Sequence, residues 1–230
     1  MNPEIIEQSV LAFQNGLAHL QEGRVQEADI LFAKSHELNP NNVDALTLLG
    51  VRFFQKQDYQ SALVFFSRAN DLAPDSVQIL SNMGLVHNAL SQFNKALYFL
   101  DSALELEKGL PEIFNNRGNA LKGLKRYREA EGAYIQAITL RPNYFEALSN
   151  YGALLLEEGK VNESIPLLER AIEANPNFAI AFNNLGNAFT QLQLFENAIE
   201  CFERALAINP HYLDVYLNFG SCLKKCKQNQ

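Results

Sequence analysis

Two residues before a recurring glycine stand Asn82, Asn116, Asn150, Asn184 and Asn218, a column at 34-residue spacing. Asn119 and Asn187 follow the same glycine by one, and Lys122 lies four beyond Gly118. A carboxamide carries two N–H donors and a carbonyl acceptor, so a column of them can pair with a peptide main chain whatever its side chains are. An extended peptide advances about 3.3 Å per residue, and packed helices lie about 8–10 Å apart. One asparagine would then serve every second or third peptide residue. The chemistry on offer is hydrogen-bonded recognition.

Bond-making chemistry has no comparable set. Cys222 and Cys226 are four apart on a helical pattern, with no second ligand pair nearby to complete a metal site. His19 and His87 sit three after their glycines, where Phe53, Leu121, Leu155 and Phe189 sit elsewhere, and read as core residues. His36 and His211 lie near repeat ends and read as solvated. The glycines are not clustered as a phosphate loop requires. We therefore expect no enzyme, no metal and no cofactor.

The elements that carry these residues follow from the glycines. Seven of the twelve share one 34-residue register: Gly16, Gly50, Gly84, Gly118, Gly152, Gly186 and Gly220. Twelve after each comes a small residue, as at Ala28, Ala62 and Ser164, and nineteen after comes Ser35, Ala69, Ala103, Ala137, Ala171 or Ala205. Sixteen after is bulky: Phe32, Phe66, Leu100, Tyr134, Leu168, Phe202. Small residues let two helices approach closely and bulky ones fill the space between them. Proline stands twenty-four after, with Lys108 as the exception, and is expected to end the second helix. Apolar residues recur at three and four, a helical period, and no segment alternates like a strand. Each unit is too small to bury its apolar face alone, so neighbours must stack.

This pattern resembles the tetratricopeptide repeat, a pair of antiparallel helices per 34 residues. The resemblance implies an all-α, right-handed α-solenoid of six helix pairs plus a terminal helix. It spans residues 9–212 as repeats 9–42, 43–76, 77–110, 111–144, 145–178 and 179–212. Residues 1–8 are then an N-terminal extension, and 213–230 a partial seventh repeat or capping helix. The family's first helices line a concave groove, which would place Asn82, Asn116, Asn119, Asn150, Asn184, Asn187, Asn218 and Lys122 there as a peptide-binding set. Leu17, Leu20, Val51 and Phe54 would make the first two repeats more apolar. The asparagine spacing also resembles the repeat domain of O-linked N-acetylglucosamine transferases. The lysine clamp by which other members hold a terminal carboxylate is missing: the site three before the glycine holds Phe13, Thr47, Ser81, Asn115, Ser149 and Asn183. Arg117, with Lys122, Lys125, Arg126 and Arg128, is the nearest basic substitute.

Composition sets the remaining bounds. The formal net charge is −7, the wrong sign for a nucleic-acid binder. No apolar run is long enough for a membrane span. Three cysteines, an odd number, suit a reducing compartment, and we expect a cytoplasmic protein. Two functions remain: a scaffold that binds an extended peptide or partner segment in its groove, or the recruiting region of a larger enzyme, a glycosyltransferase foremost. The partner, the organism and the oligomeric state are not legible in the sequence.

Overall fold

The structure, a computed structural model, describes residues 2–228. Among them are thirteen α-helices and no strand. They fall into two compact units, Met1–Lys108 and Gly109–Gln230. The first unit holds α1 (Pro3–Gln21), α2 (Val25–Leu38), α3 (Val43–Gln55), α4 (Tyr59–Leu72), α5 (Val77–Ala89) and α6 (Phe93–Leu106). The second holds α7 (Pro111–Gly123), α8 (Tyr127–Leu140), α9 (Phe145–Glu157), α10 (Val161–Ala174), α11 (Ala179–Gln191), α12 (Phe195–Ile208) and α13 (Leu213–Gln228). Each is a stack of helix pairs, and α13 closes the second unit against α11 and α12. Residues 3–8 continue α1 without a break.

The register glycines work by contact. A Cβ placed on Gly118 would lie 2.5 Å from Cε1 of Tyr134, and one on Gly152 would lie 2.7 Å from Cγ of Leu168. The same overlap recurs at Gly16 with Phe32, Gly50 with Phe66, Gly84 with Leu100 and Gly186 with Phe202. The bulky residue of each second helix therefore seats on bare backbone of the first. The small residues at twelve and nineteen after are fully buried in all six pairs. In the first pair Ser9 and Ser35 exploit this closeness, each hydroxyl donating to the other's main-chain carbonyl at 2.7 and 2.8 Å.

The turn inside each pair has a period of its own. Gly23, Gln57, Ser91, Lys125, Gly159 and Gln193 all have positive φ, between 56° and 77°. The following N–H reaches back five residues, as from Asp58 to the Phe53 carbonyl at 3.0 Å. This left-handed helix ending satisfies carbonyls that would otherwise be orphaned. Glycine meets the need at two of the six sites, and the other four bear a side chain in a region that costs it energy.

The helix ends follow the expectation for proline at five of the six sites. The second helices end at Leu38, Leu72, Leu106, Leu140, Ala174 and Ile208, each two residues short of the register site for proline. Helix α6 ends in step although Lys108 stands there, and Glu107 takes the same extended backbone (φ −146°, ψ 124°) as the residues that precede proline. Proline thus accompanies five of the six endings, and the sixth reaches extended backbone without it.

Candidate peptide groove

In the second unit α7, α9, α11 and α13 are the first helices of successive pairs and touch in that order. The asparagine column is wired across these contacts. Asn150 Nδ2 donates to Asn115 Oδ1 at 2.9 Å, and Asn218 Nδ2 donates to Asn183 Oδ1 at 2.9 Å. Asn184 Nδ2 donates to Ser149 Oγ at 3.2 Å. Each rung joins the site two before one glycine to the site three before the preceding glycine. Asn115, Ser149 and Asn183 are buried, and the donors are half-buried. One N–H of each amide is spent in this way, leaving a second N–H and the carbonyl lone pairs.

The remaining candidates divide. Asn119 is held by structure: its Oδ1 accepts the hydroxyl of the fully buried Tyr134 at 2.8 Å. Burial pushes that phenol's pKa well above the ordinary range, with the Glu157 carboxylate adding to the effect. Asn187 occupies the same register two helix pairs on, but there the covering residue is Phe202, which has no hydroxyl to satisfy. Lys122 Nζ pairs with Glu157 Oε1 of the next repeat at 2.8 Å. Arg126 is bonded to both carboxylate oxygens of Glu129 at 2.7 Å. Two of the five basic residues are thus matched by neighbouring acids. Asn116 is half-buried on α7, and Asn82 is half-buried on α5 in the first unit.

Asn184, Asn187 and Asn218 converge. They open on a hollow of about 370 Å³ whose walls come only from α9, α11 and α13, with Glu157 at one margin and Lys225 at the other. Thr190, Gln191 and Ser221 complete its polar lining. Those three were not singled out by sequence reasoning, and Lys225 was not assigned to the groove. Their signal is faint, because each adds only one residue to a register column of mixed type.

In the first unit a second hollow of about 250 Å³ is lined by Phe13, Leu17, Leu48, Val51 and Ile79. Its apolar character matches the expectation for Leu17 and Val51. Leu20 and Phe54 instead pack into core clusters beside Phe32 and Phe66.

The histidines also separate. His87 is buried, stacked on Phe99 at 5.3 Å, and its Nδ1 lies 2.8 Å from Gln92 Oε1. Burial lowers its pKa, offset in part by Gln92, and Lys95 adds to the lowering. His36 is not solvated: it is half-buried with its ring edge-on to Phe65 at 5.6 Å. No group of three metal-ligating side chains occurs among the described residues. No helix among them is long and apolar enough to cross a membrane.

Comparisons with known proteins agree with this fold. Family models described as tetratricopeptide repeat match residues 13–77, 111–144 and 179–212, and one described as TPR repeat matches 152–193. No curated protein matches the chain at a significant level. Among solved structures, the APC/C hetero-tetramer Cut9–Hcn1 superposes with a TM-score of 0.85 at 18% identity over 94% of this chain. The chain spans only 43% of that protein's length. PilF of Pseudomonas aeruginosa gives 0.75 at 17% identity, covering 96% of this chain and 99% of its own. YrrB, described as a repeat protein with an unusual peptide-binding site, gives 0.55 at 23% identity over 80% of this chain and 95% of its own. At these identities the likeness is one of fold.

Proposed function

We propose that this chain, which belongs to the tetratricopeptide repeat family, is a protein-interaction scaffold that holds an extended peptide segment along α9, α11 and α13. The observation that carries the reading is the shared hollow onto which Asn184, Asn187 and Asn218 open. Two of these asparagines are oriented by rungs to the preceding helix. An amide fixed in this way presents its remaining donor and acceptor with little further loss of side-chain freedom. The bound segment's main chain supplies the complementary groups, and Lys225 at one margin favours an acidic residue beside it. The scaffold performs no bond chemistry of its own. A cytoplasmic setting belongs to the same reading, since Cys201, Cys222 and Cys226 are free thiols. The alternative, a recruiting region of a glycosyltransferase, rests on the asparagine spacing alone.

The test is to select peptides against the chain by display and titrate the selected sequences calorimetrically against the wild type, Asn187→Ala and Asn82→Ala. Asn187→Ala is expected to weaken binding about 2- to 13-fold, the worth of one net hydrogen bond of about 0.5–1.5 kcal/mol, with an unchanged melting temperature. Asn82→Ala, on the other unit, should bind as wild type. Peptides that bind equally to all three proteins would refute the site.

A further inference from the structure

The second helices of the first unit carry an apolar column that those of the second unit lack. Ile30, Val64 and Tyr98 each stand fourteen after a register glycine, on α2, α4 and α6, and are 68%, 67% and 68% exposed. The same site in the second unit holds Gly132, Pro166 and Glu200. One exposed apolar residue is ordinary, but three in one register on neighbouring helix pairs make a patch of the kind that partners cover.

The column ends at a hollow of about 300 Å³ between α4 and α6, whose walls include Asn70, Asp75, Tyr98, Phe99 and Glu105. Asn70 breaks a register there. Twenty after the later glycines stand Leu104, Ile138, Ile172 and Leu206, of which the last three pack into core clusters. The first pair has His36, which lies against Phe65. Asn70 puts an amide in this place, and its Oδ1 is buried without a donor, an exception that calls for a reason.

The rest of the hollow is equally short of donors. No basic side chain lines it, and no salt bridge among the described residues engages Asp75 or Glu105. Tyr98 stands edge-on to Phe99 at 5.1 Å and leaves most of its surface uncovered. An acceptor, two carboxylates and an aromatic face therefore meet with no cation to serve them. Arginine answers all three, because its planar cation stacks on rings and spreads five donors. The second unit already contains the combination: Arg141 lies over the Tyr144 ring at 4.8 Å and donates to Glu112 at 2.5 Å.

We propose that a partner protein docks on the second helices of the first unit, laying apolar side chains on Ile30 and Val64 and an arginine in the hollow at Tyr98. This site shares no residue with the hollow at Asn184, Asn187 and Asn218, so the two readings stand or fall separately.

The test selects random displayed peptides on the 230-residue chain, with counter-selection on an Asn70→Leu/Tyr98→Ser double variant. Survivors are expected to carry an arginine beside apolar residues. In calorimetric titration of a synthetic survivor, Tyr98→Ser should weaken binding about 2- to 30-fold, the range of a cation–π contact. Alanine in place of the peptide's arginine should weaken it at least as much. Asn70→Leu, which restores the residue found at Leu104 and Leu206, should weaken it too, with a melting temperature unchanged or raised, so that lost binding is not lost folding. Asn187→Ala should bind as wild type. The proposal is overturned if no peptide survives, if survivors are acidic or wholly apolar, or if affinity is unchanged by Tyr98→Ser or by Asn70→Leu.

Discussion

Alanine in place of Gly152 gives the sharpest measure of how the helix pairs are held. The new Cβ would fall 2.7 Å from Cγ and 2.8 Å from Cδ2 of Leu168, a side chain with no exposed surface. Cγ is a branch point close to the backbone of α10, so the clash is not relieved by turning a flexible tip. Helix α10 must move outward, or Leu168 must leave its rotamer, and overpacking of this kind costs about 1–3 kcal/mol. Against it stands the gain of about 1 kcal/mol from replacing glycine by alanine within a helix. The balance is a net loss of up to about 2 kcal/mol, or up to about 4–8 °C in melting temperature for a chain of this size. Gly220→Ala supplies the control on the same register. Its Cβ meets nothing within 4 Å, so only the propensity gain of about 0.5–1 kcal/mol remains. Denaturant titration followed by helical circular dichroism reads both variants. A Gly152→Ala protein at least as stable as wild type would refute the seating of the bulky column on the glycines, and so would equal losses at the two sites.

Asn119→Ala should cost about 1–3 kcal/mol by stranding the buried Tyr134 hydroxyl, and adding Tyr134→Phe should recover most of it, since Phe32, Phe66 and Phe202 fill the same seat elsewhere. A double-mutant cycle with no coupling would show that the bond between them is idle. The His87 pKa lies below its ordinary 6.5, so the unfolded chain takes up the proton first and stability must fall as pH drops below that value. His87→Phe, the residue found at Phe53 and Phe189, should flatten this loss in a comparison of melting at pH 7 and pH 5.

The sequence alone determined the helix pairs and their core. A glycine, a small residue and a bulky one recurring at fixed offsets within 34 residues describe a contact between two helices joined by a short turn, and so short a connection leaves few ways to pack. Gly16 on Phe32 and Gly186 on Phe202 are such contacts. Tertiary structure decided what the asparagines do. The partner of Asn150 is 35 residues away on another helix, and whether its amide meets Asn115 or open water depends on how far one repeat slides along the next. A column in the sequence shows only that the same chemistry recurs. It was also the packing of α7 on α8 that assigned Asn119 to Tyr134, while Asn187, two repeats on, faces Phe202 and has no hydroxyl to satisfy. The left-handed residues between helices were legible only at Gly23 and Gly159, because Gln57, Ser91, Lys125 and Gln193 carry no local mark of a conformation imposed by the helices on either side.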